Sequence, residues 1–286
     1  MTTWTRIRFK VPASQREAAA ALLWAMGSCG FQEIEDDGAV IFDSYFEAEH
    51  PPAQTAQGLS AQAQSARIEL LSPPEPLIYQ ADPHDWIVNW KKNYRSFQVG
   101  GTFYIHPSWE DPDPSIPVNL QIDPSHAFGT GTHESTQLCL LALPDLAPVH
   151  TAMLDLGTGS GVLAAAARRL NPRLEITALD NDPKTAEVAR LLFADNAIDG
   201  VRLLTGELRS LSGRFDLVTA NLTLDIFRRI DRDLLPRVGR TLLASGITRD
   251  QEEALVTILE DSGQLQSSPP QRLKGWSAIV FRRAAA

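Results

Sequence analysis

From Thr151 onward five short apolar runs, AMLDL, LEITALD, VRLLT, FDLVTAN and GRTLLAS, alternate with helix-like segments that begin near Ser160, Pro183, Leu224 and Thr248. A strand that returns to its sheet through a helix must run parallel to its predecessor, and a parallel strand buried on both faces reads as a continuous apolar run. The alternation therefore predicts an open, mostly parallel α/β sheet wound by helices on both faces. Ligands of such sheets sit beyond the carboxyl ends of the strands.

The first strand runs into DLGTGSGVL, where Gly157, Gly159 and Gly161 bring bare backbone to the mouth of the sheet and Ser160 stands near the next helix. A dinucleotide fingerprint needs glycine at position 162, where this chain has Val162, so a pyrophosphate ligand is disfavoured. The second strand ends in ALDNDP. Asp180 there lies 23 residues past Gly157, near the spacing of about 20 expected of a ribose-binding acid, and its two oxygens can accept both ribose hydroxyls. Asp182 before Pro183 reads as a helix cap, and Asn181 reads equally as a turn residue or as a neighbour of a bound nucleoside. FDLVTANLTLD places Asn221 just past the fourth strand. Its amide can accept from an amine while donating to another polar atom; the plainer reading is a cap for the helix from Leu222 onward.

A second glycine-rich loop, HAFGTGTHESTQLCL, precedes this sheet but lacks a lysine, and no predicted strand leads directly into it. His126 and His133 lie in it without an evident third ligand, so no metal is assigned. His133 reads as a loop hydrogen-bond donor, and Phe128 as an apolar wall or as packing for the loop.

The first 75 residues follow a different order. WTRIRFKV reads as a strand; a helix follows, capped by Ser14 with Glu17 three residues on; FQEIE and AVIFDSYF form a hairpin about Asp37 and Gly38; Ala53 to Ala66 reads as a second helix and ARIELL as a last strand. This βαββαβ order predicts a ferredoxin-like domain over 1–75. SPPEP, Ser72 to Pro76, marks its boundary, because prolines remove donors and fix backbone angles. A linker with a short aromatic helix is expected over 76–95, then a β-rich stretch over 96–123 that opens the second domain, 96–286.

The 286 residues are 43% hydrophobic and 21% charged, an ordinary globular balance that accommodates two domains. A formal charge of −9 argues against a broad phosphate-binding surface, so neither nucleic acid nor a membrane is expected as a partner. Cys29 and Cys139 are too few for a zinc module, and no apolar run approaches the roughly 20 residues that span a bilayer. A cytoplasmic monomer is the expectation.

Together IDPSHAFGTGTHEST, DLGTGSG, ALDNDP, TANLTLD and SGI, with WKKNYRSFQVGGTFYIHPSW upstream, closely resemble the ribosomal protein L11 methyltransferase family. The resemblance covers the whole second half and the linker, while the first domain agrees in topology more than in distinctive residues. It implies a Rossmann-like class I methyltransferase domain with a mostly parallel seven-stranded sheet, preceded by a ferredoxin-like substrate-recognition domain. It also implies S-adenosyl-L-methionine as cofactor and amino groups of ribosomal protein L11, lysine side chains or the N-terminal amine, as acceptors. The matching motif positions imply cofactor contacts at Thr136, Gly157, Asp180 and Asn221, joined by Gly159 and Thr130, with Asn221 and Phe128 facing the reaction. Glu134 and Ser135 stand where Pro or Glu and Thr are usual, and TANLTLD replaces a more aliphatic run at the amine-facing edge. The chain lacks the Asn/Asp-Pro-Pro-aromatic tetrad of many enzymes that methylate bases or glutamine. The competing readings are a lysine of another protein, such as an electron-transfer flavoprotein subunit, a nicotinamide-dependent oxidoreductase, and a non-catalytic nucleotide-binding module.

Overall fold

The computed structural model describes residues 2–28, 30–47, 50–81, 95–123 and 131–284, and the chain divides into two units, Met1–Tyr94 and Arg95–Ala286. The first unit runs β1 (Thr2–Pro12), α1 (Arg16–Ala25), β2 (Gly30–Asp36), β3 (Ala39–Glu47), α2 (Pro52–Ser65) and β4 (Ser72–Ala81). Its strands form one antiparallel sheet in the order β2-β3-β1-β4. Alternation sets the faces: Ile7, Phe9 and Val11 of β1 and Val40, Phe42 and Phe46 of β3 are buried in one core with Leu23 of α1 and Leu59 of α2. The β2–β3 hairpin turns through Asp37 and Gly38 at φ +41° and +78°, the two left-handed conformations that a two-residue type I′ turn requires. Asp43 of β3, only 2% exposed, accepts two hydrogen bonds each from Arg6 and Arg8. Burial pushes its carboxyl pKa up, but the two guanidinium groups outweigh that and hold it below the ordinary value.

Several expectations for this unit change. Ser14 does not cap α1; it lies in a 3-10 turn, Ala13–Gln15, that opens at Pro12 without a side-chain cap. ARIELL forms a turn and loop, and the last strand starts only at Ser72. SPPEP thus lies inside β4 instead of ending the domain. The prolines are tolerated because β4 is an edge strand with β1 as its one neighbour and because its register slips between Arg8–Glu75 and Lys10–Ser72, so that Pro73 and Pro74 fall at a bulge where the ladder is already interrupted. β4 continues to Ala81 and crosses the boundary expected after residue 75, while the linker helix falls largely on residues 82–94, outside the described residues.

The second unit begins with a small sheet of β5 (Phe97–Val99), β6 (Phe103–His106) and β7 (Val118–Gln121), followed by α3 (Glu134–Leu146). Then come β8 (Ala152–Leu156), α4 (Val162–Leu170), β9 (Glu175–Asp180), α5 (Pro183–Asp195), β10 (Val201–Thr205), β11 (Phe215–Asn221), α6 (Leu224–Leu234) and β12 (Val238–Thr248). The chain ends with α7 (Glu252–Glu260), β13 (Leu265–Ser267), β14 (Gln271–Leu273) and β15 (Trp276–Arg283). The main sheet has eight strands in the order β10-β9-β8-β11-β12-β15-β13, with β14 also paired to β15. The run from β10 through β12 is parallel, whereas β13, β14 and β12 all meet β15 antiparallel. The sheet is therefore mixed and one strand larger than the seven expected. Its last hairpin turns through Lys274 and Gly275, and so short a connection can join only antiparallel strands. Helix α4 presses four fully buried alanines, Ala164 to Ala167, into the core, which lets its axis approach closely. The order of winding reverses between β8 and β11, and a crevice opens at their carboxyl ends. No helix among the described residues is long and apolar enough to cross a membrane.

Candidate functional site

The glycine loop after β8 is fastened from below. Asp155, 1% exposed, accepts from the hydroxyls of Thr158 at 2.6 Å and Thr219 at 2.7 Å. Burial pushes its carboxyl pKa up, and these two hydroxyls offset part of that rise. The loop's next amides turn to the end of β9: Gly157 and Thr158 donate to the Leu179 carbonyl at 2.8 and 3.1 Å, and Gly159 donates to Asp180 Oδ2 at 2.9 Å. Three successive amides are thus engaged by the protein, so a pyrophosphate would find no row of donors here. Gly157 adopts φ +69°, and a Cβ there would stand 2.5 Å from Leu222 Cδ2. Gly161, at φ +83°, instead admits the Phe193 ring of α5, which a Cβ would meet at 2.8 Å. The first glycine shapes the cradle and the third packs two helices.

Asp180 closes the second side. Its Oδ1 accepts from the Asp182 amide at 3.0 Å, so each carboxylate oxygen holds one backbone donor and retains a lone pair for a ligand hydroxyl. The carboxylate borders a crevice of about 380 Å³ that Gly157, Leu179, Asn181, Leu208, Leu222 and Ile226 also line. Asp182 caps α5 by accepting from the Lys184 amide at 2.9 Å. Gly206, Glu207 and Leu208, just past β10, complete the wall; sequence reasoning missed them, although the same strand-end rule that located Asp180 points there.

Asn221, the residue before Leu222 of the crevice wall, does not itself line the crevice; its Nδ2 donates to Thr136 Oγ1 at 3.1 Å, which brings together two expected residues 85 positions apart. Thr136 is 1% exposed in the first turn of α3. His133 caps that helix by accepting from the Ser135 amide at 3.3 Å, and its ring meets Trp276 edge-on with centroids 4.5 Å apart. Its Nδ1 thus serves as the acceptor of the cap, which leaves Nε2 as the ring's donor. Asn221 is not the cap of α6, whose N-cap position is Thr223. Leu222 is wedged between Gly157 and Gly246: at φ +84° Gly246 lets β12 pass so close that a Cβ would lie 2.6 to 2.8 Å from the backbone oxygen, nitrogen and carbon of Leu222. The Leu222 amide donates to the Ser245 carbonyl at 3.0 Å. Phe128, Thr130 and His126 lie outside the described residues. Among the described residues no three His, Cys, Asp or Glu side chains gather as a metal site.

The crevice fits an adenosyl ligand by its chemistry: a backbone cradle that a side chain would fill, a carboxylate with two open lone pairs, and apolar walls for a base. Comparison with known proteins gives the family. Residues 3–284 match the family described as ribosomal protein L11 methyltransferase. The ribosomal protein L11 methyltransferase of Pelobacter propionicus is 40% identical over 224 residues, covering 75% of this chain and 72% of that protein. The one from Bacillus cereus is 34% identical over 214 residues, 72% of this chain and 68% of its own. A crystal structure of ribosomal protein L11 methylase from Lactobacillus delbrueckii subsp. bulgaricus superposes with a TM-score of 0.62 at 26% identity, over 67% of this chain and all of that one. With a match that leaves only two residues at either end uncovered, and with the glycine loop and its carboxylate arranged as described, this chain belongs to the ribosomal protein L11 methyltransferase family.

Proposed function

We propose that the protein transfers methyl groups from S-adenosylmethionine to amino groups of ribosomal protein L11, acting as a cytoplasmic monomer without need of nucleic acid. The observation that carries this reading is the Asn221–Thr136 pair, one residue from the crevice wall at Leu222. It sets an amide able to orient an amine beside a cradle suited to a nucleoside. The order β2-β3-β1-β4 and its two helices support a ferredoxin-like first unit, whose role is recognition of the acceptor protein.

Asp180 would take the two ribose hydroxyls, Leu179, Leu208 and Leu222 would flank the adenine, and Gly157 would admit the nucleoside close to the backbone. Thr136 and Asn221 would meet the methionine end, with Thr130 and Phe128 closing over it. When bound, S-adenosylmethionine supplies a methyl group on a positively charged sulfur. The chain must then bring a neutral amine into line with that carbon and keep water out, an alignment worth about 7 to 11 kcal/mol in favourable cases. A lysine amine has a reference pKa near 10.4, so deprotonating it at pH 7 costs about 4 to 5 kcal/mol unless the site lowers that value. Desolvation and a neighbouring positive charge both act in that direction. Asp155 is no base for this step, because it is sealed under the glycine loop with both oxygens engaged. The amine gives up its proton to water on entry, and Asn221 orients the lone pair.

The test is incubation of the purified protein with ribosomal protein L11 and methyl-labelled S-adenosylmethionine, followed by mass spectrometry. Label on lysine or N-terminal amines is expected. An unlabelled L11 alongside another labelled protein would replace the acceptor, and calorimetric binding of NAD in place of adenosylmethionine would overturn the reading.

A further inference from the structure

The Asn221–Thr136 pair joins the end of β11 to the first turn of α3, and nothing in the pair itself holds those elements in register. The hydroxyl of Ser245 supplies the buried tie between them, beside the His133–Trp276 ring contact and the Glu134–Lys274 ion pair at the same turn. Ser245 lies abreast of Asn221 in the parallel β11–β12 ladder and is fully buried. Its Oγ shares one proton between the Ser135 carbonyl at 3.1 Å and the Ser277 carbonyl at 3.0 Å, tying α3 to β12 and β15. Its own carbonyl accepts from the Leu222 amide. One residue thus fixes the neighbour of Thr136 with its side chain and the neighbour of Asn221 with its backbone. Cys139, also fully buried, lies within hydrogen-bonding reach of the same hydroxyl; burial pushes its thiol pKa up to about 12, which keeps it a neutral packing group. Behind Ser277 the tie continues, because the Ser277 hydroxyl donates to Glu252, which also receives two 2.7 Å hydrogen bonds from Arg272.

We propose that Ser245 is a positioning residue for methyl transfer: its buried hydroxyl holds Thr136 against Asn221, so that the amide faces the entering amine. The proposal rests on the methyl transfer argued above and concerns a residue that touches neither cofactor nor acceptor. Ser245→Ala removes the tie and leaves the fold's other bonds in place.

The decisive experiment pairs this variant with Asn221→Ala in a double-mutant cycle on kcat, together with amide hydrogen exchange of the protein without cofactor. In the wild-type background Ser245→Ala is expected to lower kcat about 10-fold, since misplacement of up to 1 Å costs up to about 100-fold. In the Asn221→Ala background the same change should cost less than about twofold, because the group it positions is gone. Exchange at the Thr136 and Gln137 amides, which donate to the His133 carbonyl, should quicken about 10-fold while β9 is unchanged. Equal losses in both backgrounds, or unaltered exchange in the first turn of α3, would overturn the proposal. If Ser245→Ala does not fold, Ser245→Cys, similar in shape with a weaker donor, carries the same comparison. Failure of the wild type to label L11 would count against the function alone, because the exchange measurement needs neither cofactor nor acceptor.

Discussion

Replacing Gly246 with alanine tests whether the close passage of β12 behind Leu222 sets the amine-facing edge. The new Cβ would stand 2.6 Å from the Leu222 carbonyl oxygen, and ordinary contact begins at 3.4 Å, so that oxygen must retreat by about 0.8 Å. Backbone cannot swing aside as a side-chain tip can. The positive φ adds about 1 to 2 kcal/mol of strain, and overpacking typically adds about 1 to 3. Displacement passes directly to Asn221, the preceding residue, where a shift approaching 1 Å lowers turnover about 100-fold. Gly263→Ala is the control: its φ is +67° but no atom lies within 4 Å of the added carbon, so it bears the backbone strain alone. Initial rates of label transfer to L11 and thermal melts of both variants give the comparison. Gly246→Ala should lose at least about 30-fold in kcat where Gly263→Ala stays within about twofold, with a melting temperature several degrees below the control. Equal kcat and equal melting temperature for the two variants would refute the argument.

Asn221→Ala should lower kcat by about 100-fold or more while cofactor affinity changes only a few-fold; equal losses in turnover and in calorimetric affinity would reduce its role to binding. Asp180→Asn should weaken S-adenosylmethionine and its demethylated product alike by about 10- to 100-fold, equivalent to about 1.5 to 3 kcal/mol, with kcat at saturation little altered; titration with both ligands checks this. Asp43→Asn should destabilise the first unit by about 2 kcal/mol, less than a fully buried pair because both arginines reach water. The folded pKa of Asp43 is depressed, so its contribution is present above the unfolded value near 3.9 and is lost as pH falls through the folded value. In acid melts followed by circular dichroism the wild type should therefore converge on the Asp43→Asn variant below about pH 4.

The five parallel strands of the main sheet were legible because each is a short apolar run beside a helix, and the glycine loop because Gly157, Gly159 and Gly161 alternate where the first of those runs ends. Asp180 and Asn221 followed from the rule that strand ends carry the ligand. The closing strands were not legible, since LQS and QRL are three-residue edges without an apolar pattern and become strands only by pairing with β15. β4 was misplaced because prolines in SPPEP argue against a strand until its edge position is known. Ser245 ends the run GRTLLAS and with Gly246 opens the SGI motif, but their part depends on tertiary contacts with Ser135 and Leu222 that the motif does not reveal.

Asp180 meets the crevice with both oxygens already anchored by backbone amides, so holding a sugar there freezes little further side-chain freedom. The sugar, however, is identical before and after reaction. Affinity gained at this end is shared by donor and spent product and cannot lower the barrier between them. Turnover at high donor concentration must then be governed by the groups that meet the sulfur and the amine, and accumulated adenosylhomocysteine should compete nearly as well as fresh donor.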